Sequence, residues 1–151
     1  MILRGVLVAL HLICAVLWIG GIGFLLLVLR PSLAGLAPRK RLDLHQAALR
    51  RFLRLVWHLL PVLLASGYAL LFLRGGFATA GIAVNLMQAL GLVMAALFAY
   101  LYFRPWPELG VALETGDIDT AEEALGRIRR LAQLNFVLGL LILGAAAFVP
   151  G

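Results

Sequence analysis

The chain has 151 residues, of which 64% are hydrophobic and 13% are charged, and its mean hydropathy is +1.04. An ordinary soluble domain is roughly 25% charged, so this composition excludes a soluble globular protein. The net charge of +6 could suggest nucleic acid, but the basic residues are concentrated in particular loops, which excludes nucleic acid as the expected partner.

Four apolar runs of about 20 residues, the length that crosses a hydrocarbon core of about 30 Å, follow one another along the chain. We predict membrane spans at about 6–29, 55–73, 82–103 and 131–149. The first run is too long for the apolar part of a signal peptide. Because the spans use up most of the chain, the predicted fold is all-α, a single domain over 1–151 that forms an integral membrane antiparallel four-helix bundle.

The basic residues favour one orientation of these spans. Eleven of them lie in the connecting segments 30–54 and 104–130, whereas only Arg4 and Arg74 fall on the other side. By the positive-inside rule the two long segments are cytoplasmic and both termini are outside, on the periplasmic face. We therefore expect a multi-pass protein of the bacterial cytoplasmic (inner) membrane, with the lipid bilayer as its surroundings.

The two connecting segments carry helical patterns of their own. Asp43 to Arg54 is predicted as a cytoplasmic extension of span two, lying partly in the membrane interface. In the last segment, a helix opened by Asp119 and closed by arginines is predicted to lie on the surface and to lead into span four. The Gly-rich stretch 73–81 predicts a tight hairpin between spans two and three.

Polar residues inside the spans recur at helical spacing, so each span presents a polar face. Span one carries His11, Cys14, Trp18 and Gly21 on one face, which should point at other helices because a histidine facing lipid is costly. The other spans carry Arg54, His58 and Tyr68 (span two), Asn85, Gln88 and, on the next face, Met87 (span three), and Asn135 (span four).

Depth divides these groups into an outer and an inner layer. Counted from the span midpoints at about 1.5 Å per residue, His11 lies about 10 Å outward and His58 about 9 Å inward, a gap of about 19 Å. Two imidazoles on one iron must bring their nitrogens within about 4 Å, so a haem held by both histidines is disfavoured. His58, beside Arg54, is expected to serve an inner-side contact.

The outer layer combines an imidazole, a thioether and a thiol, a set that suits Cu(I) better than hard cations. The candidate metal ligands are therefore His11, Met87 and Cys14, and either His11 or His58 is a candidate haem ligand. The alternative is that the histidines are polar pins between helices and that Met87 and Cys14 are apolar filler. Gln88 and Asn135 are expected to form hydrogen bonds between helices, and Trp18 to pack.

Several stretches resemble a known family over nearly the whole chain. They are LHLICAVLWIGGIGFLLLVLRP (10–31), RRFLRLVWHLLPVLLASGYALL (50–71), NLMQALGLVMAALFAYLYF (85–103) and RIRRLAQLNFVLGLLILGAAA (127–147). Together they are similar to the four-helix copper resistance D (CopD) domain and also to HemJ-like proteins, linked to protoporphyrinogen oxidation. HemJ-like proteins carry a His-x-Lys pair where this chain has Leu86-Met87-Gln88, so the resemblance favours CopD.

Three function classes stay open. The CopD resemblance implies a copper-handling membrane protein, for which we favour a role other than catalysis without excluding an enzyme. A periplasmic copper-binding protein is a candidate partner, and the Gly-rich first span favours a homodimer. The second class is a b-haem protein of the HemJ type. The third is a structural or assembly factor in which the buried polar residues only set the helix register.

Overall fold

The computed structural model describes residues 1–77 and 80–146, which are almost entirely helical. The elements in chain order are α1 (Ile2–Phe24), a π-helical turn (Leu25–Leu29), α2 (Arg30–Ser32), α3 (Pro38–Leu73), α4 (Ile82–Phe103), α5 (Pro105–Thr115) and α6 (Ile118–Ala146). The all-α prediction is confirmed for this part of the chain.

Four helical stretches are long and apolar enough to cross a membrane, as judged by length and composition. They are Ile2–Ser32, Pro38–Leu73, Ile82–Thr115 and Ile118–Ala146. The protein is therefore a multi-pass membrane protein. The helices run past the apolar segments because amphipathic sequence continues α3 and α6 at their N-terminal ends, and the predicted end of span four, residues 147–149, lies outside the described residues.

The π-helical turn has a local cause in the sequence. The backbone N–H of Arg30 donates to the carbonyl of Leu25, five residues earlier, so the helix widens there by one residue. Pro31 follows directly and has no N–H to continue the regular hydrogen-bond ladder. The chain then turns and restarts as α3, which has Pro38 in its first turn.

Helix α1 packs closely against α3, and the two run in opposite directions. His11, in the first half of α1, meets Leu63 in the second half of α3. Gly21, late in α1, meets the ring of Phe52, which lies earlier in α3 and would overlap a methyl group at position 21. A small residue is thus required where the two backbones approach each other.

Helix α1 also contacts α6, and α4 packs mainly on α6 rather than on α3. A methyl group on Gly139 of α6 would lie 2.8 Å from Cγ1 of Ile19, which shows how close α1 is to α6. Because α3 and α4 diverge after the turn that joins them, few of their residues meet, and an open space remains between the two helices. Residues 78 and 79 of the predicted turn lie outside the described residues, and α3 and α4 do not form a closely packed pair.

The N-terminal part of α3, helix α5 and the N-terminal part of α6 pack together, and their buried side chains belong to the same hydrophobic core as those of α1 and α4. Leu42, Leu109 and Ala121, one from each helix, are completely buried there. The sequence predicts one surface helix in 104–130 and an extension of α3 that lies partly in the membrane interface. Instead, Pro105 starts a second helix, and the apolar face of the α3 extension is covered by α5 and α6.

The connection between α5 and α6 is short and well defined. Gly116 adopts a left-handed conformation with φ of 76°, which ends α5, and Asp117 immediately caps α6. The carboxylate of Asp117 accepts hydrogen bonds from the Thr120 backbone N–H, at 3.0 Å, and from the Thr120 hydroxyl, at 2.7 Å. An ion pair between Glu108 and Arg127 joins the two helices further along.

Candidate functional site: a histidine and methionine cavity

His11 is held between α1 and α3 by one of its ring nitrogens. Its Nδ1 atom lies 3.0 Å from the Leu63 carbonyl oxygen and 3.1 Å from the hydroxyl oxygen of Ser66. A carbonyl oxygen can only accept, so this hydrogen bond places the proton on Nδ1. The Ser66 hydroxyl lies 2.7 Å from the Val62 carbonyl, to which it donates within α3. Nε2 of His11 is left with its lone pair available.

Gly67 gives the imidazole its room. A methyl group at this position would lie 2.9 Å from Cε1 of His11 and 4.0 Å from Nε2 of Gln88. A contact of 2.9 Å between carbon atoms is too close, so His11 could not keep its position beside any larger residue. Gly67 therefore brings the His11 ring and the Gln88 amide to the same point on α3.

A cavity of about 360 Å³ lies at this point, bounded by α1, α3, α4 and the end of α6. Its wall is largely apolar, and the side chains in it that could bind a metal are His11, Met87, Gln88 and Met94. Arg74 also lines the cavity and brings a positive charge to it. Trp18 forms another part of the wall, and its ring meets Phe98 of α4 edge-on with centroids 6.3 Å apart. The cavity occupies the space that the divergence of α3 and α4 leaves open.

Four of the residues singled out in the sequence meet at this cavity: His11, Trp18, Met87 and Gln88. Met94 is an additional lining residue, and Ser66 is an additional contact of His11 that is not part of the cavity wall. Met94 follows Met87 by seven residues, a spacing that places both on one helix face, so the signal for it was present in the sequence. Ser66 has no comparable signal, because many spans contain a serine bonded to its own helix.

The other candidates lie elsewhere. Cys14 is buried on α1 but is not part of the cavity wall. Tyr68 packs its ring against Phe77 near the α3–α4 turn. Asn85 is exposed and donates to the Ala80 carbonyl at the start of α4. None of these three residues is part of the cavity wall that contains His11.

Asn135 is the buried polar residue of α6 and lies behind the cavity wall. Its Nδ2 atom is 3.4 Å from the backbone carbonyl of Met94, which ties α6 to α4. Its Oδ1 atom has no hydrogen-bond partner among residues 1–77 and 80–146. The predicted hydrogen bond between helices is present, and it fixes the backbone that carries Met94.

His58 is separate from His11. It is exposed on α3, and its Nδ1 atom donates to the Arg54 carbonyl 2.7 Å away, four residues earlier in the same helix. His58 precedes Leu63 by five residues, which places it about 7 Å along α3 and about 140° around it. The axial gap is smaller than the 19 Å of the span-midpoint estimate because α1 and α3 are staggered, but the two imidazoles still face different surroundings.

The sequence predicts that α3 meets the other helices through a polar stripe that contains Arg54, His58 and Tyr68, but α3 meets α1 through a different face. Arg54 and His58 of that stripe are exposed, whereas Leu63, Ser66 and Gly67 face α1 and the cavity. That expectation is based on the positions of the charged and aromatic residues. The face in contact with α1 is instead marked by small residues, which allow close approach of membrane helices.

The donor set at the cavity determines which metals it suits. In the described part of the chain, no group of three or more His, Cys, Asp or Glu side chains is arranged to hold a metal ion. Carboxylate-rich sites for Mg²⁺ or Ca²⁺ and Cys/His sites for structural zinc are therefore absent from these residues. What the cavity offers is an imidazole nitrogen and two thioethers, which are donors for Cu(I).

A scan against family models finds a match to copper resistance protein D (CopD) over residues 46–149. The chain belongs to the CopD family. The match covers well over half of the chain, including Met87, Gln88 and Asn135, but it begins after α1 and therefore does not include His11. The resemblance to HemJ-like proteins has no support in this scan.

No curated protein and no solved structure matches the chain. The match gives copper resistance as the description of the family. The arrangement of the cavity residues is an observation made on this chain itself.

Proposed function

We propose that this CopD family member handles copper in the bacterial inner membrane, and that Cu(I) binds in the cavity as cargo. The observation that carries the proposal is the anchoring of His11 at a cavity that Met87 also lines. Histidines that bind metals usually donate their second ring N–H to a carbonyl or carboxylate, which fixes the ring and directs the other nitrogen at the metal. The bond from Nδ1 of His11 to the Leu63 carbonyl has this form.

Met87 and Met94 would supply the remaining soft ligands. Both line the cavity with His11, and neither carries a charge that burial would penalise. Gln88 and Trp18 would shape the cavity without binding the ion. Cys14, which is not part of the wall, is assigned no direct role in this proposal.

The proposed setting follows from the charge distribution. The four membrane helices would form an antiparallel bundle with both termini in the periplasm, which places the cavity in the outer half of the membrane. Copper would then be exchanged with a periplasmic copper-binding protein. Association of two copies of the chain is part of the proposal, since Gly20 of α1 is exposed with open space beside it, where the helix of a second copy could approach closely.

Metal analysis of protein purified in detergent without chelator tests the proposal. We expect about one copper ion per chain, and anaerobic Cu(I) titration should refill protein that has been stripped of metal. His11→Ala and Met87→Leu should each lower copper retention, whereas His45→Ala, which removes an imidazole far along the chain from the cavity residues, should not. Copper-free protein that does not take up Cu(I) would refute the proposal.

The same sample distinguishes the other two function classes. A Soret band that is present in the unchanged protein and absent in His11→Ala would show that the site binds b-type haem and not copper. Normal function of a variant lacking both His11 and His58 would instead support a structural or assembly role.

A further inference from the structure

A second cavity, of about 260 Å³, lies at the other end of α1. It is formed by the π-helical turn, the N-terminal part of α3 and the middle of α6. Its floor is apolar, with Leu26, Leu49 and Ile128 contributed by these three elements. Arg30 and Arg129 stand at its wall, so the cavity combines an apolar floor with positive charge.

The charges at this cavity do not balance. Arg41 forms an ion pair with Glu122, which is the only acidic side chain among the lining residues. Arg30 and Arg129 have no hydrogen-bond or ion-pair partner for their guanidinium groups within the described ranges 1–77 and 80–146. Arg129 is half-buried, so part of its hydration is already lost without compensation from an anion.

One further polar side chain, His45, stands at the cavity wall. Nδ1 of His45 donates to the Arg41 carbonyl, 2.9 Å away, which leaves Nε2 free at the cavity wall. In the described part of the chain, the hydrogen-bond donors without a partner at the cavity are the guanidinium groups of Arg30 and Arg129. The site is therefore complementary to an anion with several acceptor oxygens.

The position of the cavity indicates where such an anion comes from. The π-helical turn closes the most apolar helix of the chain, and Arg30 is the first charged residue after Arg4. A residue at this point lies where the hydrocarbon core gives way to the headgroup layer. A free phosphate ion has no apolar surface to bury against the leucine and isoleucine floor, whereas the glycerol and first acyl carbons of a lipid would bury apolar surface there.

We propose that this cavity binds one anionic phospholipid. The headgroup phosphate would accept hydrogen bonds from Arg30 and Arg129, and the glyceride part would lie on the apolar floor. The π-helical turn serves the site because it brings Leu25, Leu26 and Arg30 to one cavity wall. This inference goes beyond copper handling and does not depend on it.

Native mass spectrometry of the full chain tests the proposal. Protein in detergent would be mixed with dioleoyl phosphatidylglycerol or with dioleoyl phosphatidylcholine, and the bound lipid counted. We expect one phosphatidylglycerol to be retained and phosphatidylcholine to be bound much more weakly. A basic residue near an anionic lipid contributes about fivefold in affinity, so Arg30→Gln/Arg129→Gln should weaken retention about 25-fold.

The matched control is Arg50→Gln/Arg51→Gln. It removes the same charge from exposed positions on α3 that do not line the cavity. Retention should be unchanged in this control, and an equal loss would show that the attraction is diffuse surface charge. The single variant Arg30→Gln, at an exposed position, provides the test if the double variant does not fold.

A competition arm separates lipid from free anion. Millimolar inorganic phosphate should leave phosphatidylglycerol bound, because the ion cannot replace the contacts with the apolar floor. Displacement of the lipid by inorganic phosphate at this concentration would mean a phosphate site, and equal retention of the two lipids would mean that the arginines do not select the headgroup. Either result overturns the proposal.

Discussion

Nδ1 of His11 on α1 lies 3.0 Å from the carbonyl oxygen of Leu63 on α3. This single hydrogen bond links the first membrane helix to the second at the edge of the cavity. It also fixes the tautomer of the imidazole and leaves Nε2 as the nitrogen that can bind a ligand. The same contact would stabilise the helix pair in a protein that binds nothing, so variants that move His11 and variants that do not must be compared.

Gly67→Ala should displace His11 without removing it. The added methyl group would lie 2.9 Å from Cε1 of the imidazole, so the ring must rotate and lose its bond to Leu63. Loss of a group that orients a metal ligand usually lowers metal affinity by about 10- to 100-fold, and we expect a decrease of this size in Cu(I) titrations.

The matched control for this variant is Gly91→Ala. Gly91 also lines the cavity, but a methyl group there meets no atom within 4 Å. Copper affinity should therefore stay near that of the unchanged protein. Equal losses in the two variants would show that cavity volume matters and the position of His11 does not.

The membrane class and the number of long helices could be predicted from the sequence because they depend on local properties. A run of about 20 apolar residues crosses a bilayer whatever its neighbours are, and such a run must be helical to satisfy its backbone groups. The apolar face of the α3 extension was also recognisable, since Leu42, Leu49 and Leu53 recur at helical spacing.

What could not be predicted is which face of α3 meets α1. Charge and aromatic content drew attention to Arg54 and His58, but the contact is made through Ser66 and Gly67, whose value comes from their small size. Size matters only against a partner, and the partner is set by the packing of all the helices. For the same reason the covering of the α3 extension by α5 could not be read from either segment alone.

Gly21→Ala should destabilise the protein, and Gly20→Ala should not. A methyl group at position 21 would overlap the Phe52 ring, whereas one at position 20 meets no atom within 4 Å. Overpacking of this kind costs about 1–3 kcal/mol. Thermal unfolding in detergent, followed by circular dichroism, should show a lower midpoint for Gly21→Ala alone. A similar drop in both variants would point to helix α1 itself and not to its contact with α3.

A reporter fusion should place the C-terminus in the periplasm. The expectation rests on the eleven basic residues of segments 30–54 and 104–130 against two on the other side. Alkaline phosphatase fused after the last residue should be active, and a fusion within 116–118, at the α5–α6 connection, should be inactive. The reverse pattern would invert the topology and move the cavity to the cytoplasmic half of the membrane.

The cap of α6 should give the protein a measurable acid sensitivity. Hydrogen bonds from the backbone N–H and the hydroxyl of Thr120 hold the pKa of Asp117 below its ordinary value of 3.8. A lowered pKa in the folded state means that the stabilisation is complete above the unfolded-state pKa and is lost as the pH falls through the folded-state pKa. Stability should therefore decrease below about pH 4.

Asp117→Asn isolates this contribution from the other acidic groups. Asparagine is also a good helix cap, but it does not titrate. As the pH is lowered from 5, the free energy of unfolding should therefore decrease less in the variant than in the unchanged protein, and the difference is the contribution of the Asp117 carboxylate. Unfolding midpoints measured for both proteins across this range provide the test. Identical pH profiles would show that Asp117 contributes nothing and that the acid sensitivity comes from other carboxylates, such as those of the ion pairs Arg39–Asp43, Glu108–Arg127 and Arg41–Glu122.

The two histidines in the membrane helices should give different results when each is replaced by alanine. His11→Ala removes the nitrogen that faces the cavity, so copper retention, or a haem spectrum if haem is the ligand, should be lost. His58 is exposed and bonded only to the carbonyl of Arg54 in its own helix. His58→Ala should therefore leave the ligand in place and change the free energy of unfolding by less than about 0.5 kcal/mol. This small effect differs from the inner-side contact that the sequence predicts for His58. The measurement is a metal titration and an absorption spectrum of each single variant and of the double variant. If both single variants abolish the same spectroscopic site, the two imidazoles share one ligand, and a bis-histidine haem between α1 and α3 must replace the copper cavity.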